Sequence, residues 1–351
     1  MFSIEDYHYH LPEQLIAQQP SQERDHSRLL VMDRHTGDLS HQIFHELEAF
    51  LDPSDVLVIN NTQVIPGRIV GKKESGGRIE ALVLNYASRM RSSAPENQFE
   101  CMLKSSKRTR IGARLTFPEG VTARVMERED NIYRLSFSCK GDFRSVLNRI
   151  GQTPLPPYIK RDGTQPTQDD STTYQTIYAS QEGAIAAPTA GFHFTEALMQ
   201  RLKDKGVTLA PITLHVGYGT FLPVRVTDIR EHSMHSEWFS IPEETAETVS
   251  LAKKEGRRVV AVGTTSVRTL EFAMHENGNM RPMTGPCNLF IYPGYQFRVV
   301  DAMITNFHLP KSTLLMLVSA FAGRNNILSA YQTAIQENYR FYSYGDAMLI
   351  Q

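Results

Sequence analysis

Apolar and polar positions change rhythm twice along the chain. Early on, "SRLLVMDR" (27–34) reads as a strand, "FHELEAFL" (44–51) as a short amphipathic helix, and "DVLVINN" (55–61) as a buried strand after a Pro-Ser-Asp turn. From Pro66 short period-two segments take over: "RIEALVLNY", "ARLTF", "VTARVMERE" and "NIYRLSF", divided by "ESGG", "PEG" and "EDN". Closely spaced strands with turn signals, and little helix before "DFRSVLNRI" (142–150), predict a small β-barrel or sandwich. The proline-rich "TPLPPYIKR" (153–161) is a stiff return.

The α/β alternation then resumes. Thr195 is placed to cap a helix running through Lys205, with Gly206 as its stop. "VTLAPITLHV" and "RRVVAVG" read as strands, "TTSVRTLEFAMHENG" as a helix, and "NLFIYPGYQFRVVDAMITNF" (288–307) as two strands around a Pro-Gly turn. "PKSTLLMLVSAFAG" and "ILSAYQTAIQENY" are helices, and "AMLI" closes the pattern as a strand. The predicted class is α/β: a discontinuous α/β sandwich domain from 1–65 and 152–351, with an inserted small β-barrel domain over 66–151. No internal repeat or low-complexity tract interrupts it.

Charge sharpens this division. The net charge is −1 over 351 residues, yet 66–150 hold 17 basic and 9 acidic residues while the remainder holds 20 and 29. The basic segment is suited to a polyanion, and "KSSKRTR" concentrates Lys104, Lys107, Arg108 and Arg110 as candidate contacts to a nucleic-acid backbone. Aromatic interleaving is sparse there, so stacking of single-stranded bases is not expected. Three scattered cysteines (Cys101, Cys139, Cys287) form no CxxC pair or disulfide framework. The amino-terminal "MFSIEDYHYH" lacks a signal-peptide layout and "TLLMLVSAFAG" is too short to span a bilayer, so a cytoplasmic chain with no membrane contact is expected.

Candidate chemistry sits in loops at strand ends, where α/β proteins bind ligands. These are 60–68, 187–195, 215–221, 263–271 and 305–313, each mixing Gly or Pro with hydroxyl, amide or imidazole groups. In "GTTSVR", Thr264, Thr265 and Ser266 open a helix, so they are either an anion cradle or plain N-caps. "HVGYGTF" fails as a dinucleotide fingerprint because no helix follows. His193, His215 and His308 each lie beside a Gly or Pro loop. One such histidine is usually a satisfied structural residue; three in similar loops point to a shared cleft. His232 and His235 have no second ligand pair near them, so no metal is expected.

Blocks such as "HYHLPEQLIAQQP", "DVLVINNT", "AAPTAGFHFT", "HVGYGTFLPV", "GTTSVRTLE", "TNFHLPKSTLLMLVSAFAG" and "YRFYSYGDAMLI" resemble the S-adenosylmethionine:tRNA ribosyltransferase-isomerases of queuosine biosynthesis. The resemblance runs from residue 6 to residue 350 and departs from the family pattern at Gln63, Gly67, Phe192 and 169–173. It implies an enzyme whose cosubstrate is S-adenosylmethionine, with no resident cofactor. The ribosyl part is transferred to the aminomethyl-deazaguanine at the wobble position of a tRNA with a GUN anticodon. Epoxyqueuosine-tRNA forms, and adenine and methionine depart. On that reading His215 and His193 are the leading acid–base candidates and His308 the third. Thr189 and Gly191 in "APTAG", Gly217 and Gly219 in the glycine loop, and Thr264, Thr265 and Ser266 cradle the cosubstrate, with Phe194 or Tyr218 facing its sulfonium or adenine. A monomer is expected. The competing class, an S-adenosylmethionine-dependent RNA methyltransferase, needs a glycine-rich first loop followed by a helix, which this chain lacks. A non-catalytic RNA-binding protein would have no use for loops so rich in Gly, His and Thr.

Overall fold

The computed structural model describes residues 2–87, 97–161, 170–221, 224–277 and 280–351. Nine strands form one large sheet, in the order Met283–Cys287, Glu237–Ile241, Thr208–Leu214, Val56–Asn60, Val259–Val262, Ala302–Asn306, Ala347–Ile350, Arg28–Met32 and Leu39–Ile43. Its centre, from Thr208–Leu214 to Ala302–Asn306, is parallel. The near-continuous apolar runs there follow from burial on both faces. Val56 and Val58 join one core cluster, whereas Leu57 and Ile59 join another across the sheet. The chain is therefore mixed α/β, and both of its ends contribute to this sheet.

Six strands between Arg68 and Ser138 close into a barrel with its own core. Helix Phe143–Ile150 packs Phe143 against Phe99 and Phe137, with ring centroids 4.5 and 4.6 Å apart. The segments entering and leaving the barrel pair with each other: Arg68 and Gln152 exchange backbone hydrogen bonds of 3.1 and 2.8 Å. Gly151 fits there because a Cβ would lie 2.0 Å from the Pro66 carbonyl oxygen.

Several local signals translate directly. Thr195 accepts from the Leu198 N–H, and helix Glu196–Lys205 stops at Gly206 with φ +101°. Segment 44–50 is helical but of the 3-10 type. One expectation is corrected. Of the two strands foreseen in 288–307 only Ala302–Asn306 forms; the other is Met283–Cys287, upstream. The backbone N–H groups of Arg298, Val299 and Val300 bond instead to the fully buried Glu271 carboxylate, each at 3.0 Å, which occupies donors a strand partner would need. No helix among the described residues is long and apolar enough to cross a membrane.

Candidate active site

The carboxyl ends of the parallel strands, joined by 187–190, surround a cavity of about 90 Å³. Thr189, Thr264, Thr265, Asn306 and His308 line it, with Tyr158 and Ser343 on its far wall. Hydrogen bonds knit the strand ends together. Asn60, fully buried, donates through Nδ2 to the Leu214 carbonyl at 3.0 Å and to Thr265 Oγ1 at 3.3 Å, while its Oδ1 accepts from the Leu214 N–H at 3.0 Å. Gly263, with φ +85°, turns the chain from its strand into helix Thr264–Asn277.

The three histidines do not share this cavity equally. His308 lines it, with Nε2 2.7 Å from Thr305 Oγ1 and its carbonyl accepting from the Tyr9 hydroxyl. His193 lies behind Asn306. Thr189 Oγ1 donates to Asn306 Oδ1 at 2.9 Å, so the Asn306 amide turns its Nδ2 towards His193 Nε2, 3.2 Å away. That leaves His193 Nδ1 to donate to Ser27 Oγ at 2.6 Å. His215 is buried beyond Val216, 2.8 Å from Thr62 Oγ1 and stacked on Trp238 with centroids 5.3 Å apart. Burial lowers the pKa of His308, and burial with the fields of Arg340 and Arg24 lowers that of His193 to about 3. Both are neutral at pH 7.

Other foreseen site residues are placed differently. Ser266 turns back to donate to the Val262 carbonyl at 2.7 Å and serves the helix start. Phe194 is fully buried between Phe44 and Tyr178 and does not line the cavity. Gly191 is demanded by packing, since a Cβ would fall 2.1 Å from the Tyr178 hydroxyl. Gly219 likewise faces His235, 2.6 Å from a Cβ. The Gly217 N–H donates to Glu237 Oε1 at 2.8 Å, and Tyr218 starts a 3-10 turn, Tyr218–Phe221, where no helical structure was expected. None of Gly217, Tyr218 and Gly219 lines the cavity, although Val216 beside them does.

Polar residues that the sequence did not single out hold the site in shape. Asn60 and Asn306 bridge strand ends. Glu237 accepts from Arg268 Nη1 at 2.5 Å, both side chains being buried, and so ties the 217–219 loop to the helix that opens with Thr264. Their signal was available: amides and charges inside or just after apolar strands are rarely tolerated without partners. In the barrel, Lys104, Lys107, Arg108 and Arg110 are all exposed. Among the described residues, one trio (exposed Glu23 and His26 with half-buried Asp25) brings potential metal-ligating atoms together; it stands apart from the cavity.

Comparison with known proteins agrees with this architecture. The profile of the family described as "Queuosine biosynthesis protein" matches residues 4–350. The S-adenosylmethionine:tRNA ribosyltransferase-isomerase of Geotalea uraniireducens is 51% identical over 348 residues, covering 99% of each chain. Its counterpart from Syntrophotalea carbinolica is 50% identical over the same coverage. The crystal structure of S-adenosylmethionine tRNA ribosyltransferase from Thermotoga maritima superposes with a TM-score of 0.56 at 35% identity, covering 99% of this chain and 100% of that one. With its strand-end cavity, its inserted barrel and end-to-end similarity to these proteins, the chain belongs to the queuosine biosynthesis family of S-adenosylmethionine:tRNA ribosyltransferase-isomerases.

Proposed function

We propose that the chain transfers and isomerises the ribosyl moiety of S-adenosylmethionine onto the aminomethyl-deazaguanine at the wobble position of a GUN-anticodon tRNA. Epoxyqueuosine-tRNA forms, with release of adenine and methionine. The observation that carries this reading is the strand-end cavity with its hydroxyl, amide and imidazole groups, in a chain similar throughout its length to proteins named for that activity. The α/β part, 1–65 and 152–351, is the catalytic domain, and 66–151 is the tRNA-gripping domain through Lys104, Lys107, Arg108 and Arg110. The chain acts in the cytoplasm, as a monomer and without a resident metal.

The chemistry needs a base first. A sulfonium acidifies the protons on its adjacent carbons, so an imidazole within hydrogen-bond reach of one is placed to remove it. His308 is neutral and faces the cavity, and takes the part of base ahead of His193 and His215. Asn306, held by Thr189 and His193, presents an oriented amide to the ribose, while Thr264 and Thr265 offer hydroxyls. His193 acts through Asn306 as a positioning residue. A cavity of about 90 Å³ encloses only part of a molecule as large as S-adenosylmethionine, so the remainder lies across the rim.

The test is product analysis. With S-adenosylmethionine and tRNA carrying the aminomethyl-deazaguanine, free adenine is expected, and S-adenosylhomocysteine would instead establish a methyltransferase. His308→Ala should stay folded, still bind S-adenosylmethionine, and release adenine at least about a hundredfold more slowly. Near-normal turnover in that variant would remove His308 from the chemistry.

A further inference from the structure

A second pocket, of about 110 Å³, lies beside the central cavity and shares Ser343 with it. Arg24 and Arg340 line it, with Ser21, Ser27 and His193 between them. Arg24 donates to backbone carbonyls, those of Gln175 at 2.9 Å, Thr172 at 3.1 Å and Phe192 at 3.3 Å, and its guanidinium lies 5.9 Å from the Phe192 ring centroid. Among the described residues it has no carboxylate partner. Arg340 donates to Ser21 Oγ at 3.2 Å and meets Asp346 only loosely, at 3.6 Å. Asp346 is itself occupied by the backbone N–H groups of Arg28 and Arg340. Among the described residues, no Asp or Glu lines the pocket. Two guanidinium groups thus face a half-enclosed space lined by hydroxyls, with Asp346 as the one carboxylate among the described residues that reaches either of them. Their field reaches His193, where it adds to burial in keeping the ring neutral.

We propose that the pocket between Arg24 and Arg340 is an oxyanion-binding site, filled by a carboxylate or phosphate group of a substrate seated in the adjoining cavity. Its size admits such a group and not a whole nucleotide. Planar guanidinium groups with free N–H donors suit paired oxyanion oxygens, and the Ser21 and Ser27 hydroxyls supplement them. Two sources have this chemistry. One is the amino-acid carboxylate of S-adenosylmethionine, reaching past Ser343. The other is a backbone phosphate of the tRNA. The assignment of these sources rests on the function proposed above; the anion site itself does not.

The experiment uses the full chain and inorganic phosphate, followed by titration calorimetry. Wild-type protein should bind phosphate, Arg340→Gln about tenfold or more weakly, and Arg340→Lys with an intermediate loss. If Arg340→Gln folds poorly, Ser21→Asp places an internal carboxylate beside Arg340 and should abolish phosphate binding while leaving Arg24 and Arg340 in place. Competition then separates the sources. A carboxylate occupant predicts that phosphate weakens S-adenosylmethionine but not its decarboxylated analogue. A tRNA occupant predicts that phosphate and Arg340→Gln weaken tRNA binding and leave S-adenosylmethionine unaffected. No phosphate binding by the wild type at millimolar concentration, or equal binding by wild type and the folded variants, overturns the proposal. Because binding is read without turnover, absent adenine release alongside intact phosphate binding counts against the reaction alone.

Discussion

The strand-end region and the barrel use polar residues in opposite ways. At the strand ends, Asn60, Thr62, His193, His215, Glu237, Arg268 and Asn306 are all buried and bonded to one another or to backbone. In the barrel, Thr109 is the one buried polar residue among those described, while the cations of 104–110 and the side chains of Ile111, Met126 and Ile132 are exposed. One region positions groups by desolvating them; the other leaves its charge where a large partner can reach it. Substitutions should therefore act through folding and geometry in the first and through salt-sensitive affinity in the second.

The largest effect tests the buried side. Arg268→Met leaves Glu237 buried without its cation, and should cost about 3–5 kcal/mol of stability by chemical denaturation. A loss below about 1 kcal/mol would mean that the strand-end network is not the rigid unit described.

Next comes acid. The folded pKa of His193 is about 3, well below that of an unfolded histidine, so below about pH 6.5 the unfolded chain takes up a proton that the folded chain refuses. Stability is full above that pH and falls as the pH drops towards 3; His193 alone accounts for a loss on the order of 2 kcal/mol at pH 5. Residues 66–150 contain no histidine. Hydrogen exchange at pH 5 should accordingly show the large sheet loosening before the barrel, and His193→Gln should flatten the pH dependence of melting. Equal loosening of both regions would erase the distinction.

The smallest effect belongs to the barrel surface. Lys107→Ala or Arg110→Ala should leave melting unchanged, weaken tRNA binding a few-fold, and reduce its log–log salt slope by about one each. An unchanged slope would show that this face does not touch phosphates.

Much of the fold could be read from local signals because they were strong and redundant. The Thr195 cap, the Gly206 stop and the period between them specify one helix without tertiary help. The charge shift and short strands between Pro66 and Ile150 likewise marked a region of different character. Failures came where tertiary partners replaced local ones. The aromatic, β-branched run 288–301 looks like a strand, but a carboxylate thirty residues or so upstream takes its N–H groups. The true strand, "MTGPC", carries Gly285 and Pro286 and has no β signature, which an edge position tolerates. In the site, the loops were legible but the direction of each side chain was not. Ser266 stands beside Thr265, which lines the cavity, and Phe194 follows the 187–190 wall within four residues, yet backbone bonding and aromatic packing take them elsewhere. Asn306 was passed over for the neighbouring histidine because a lone amide carries no motif.

Strand Arg28–Met32 pairs in parallel with strand Ala347–Ile350, more than three hundred residues later. That pairing sets an order of events during synthesis. The barrel's strands all lie between Arg68 and Ser138, so they can find their partners while the chain is still being made. The large sheet cannot: its early strand Arg28–Met32 must wait for Ala347–Ile350 to emerge, a closure of very long range and correspondingly slow. A chain whose synthesis stops before Ala347 would thus carry a finished barrel beside an unfinished, sticky sheet edge.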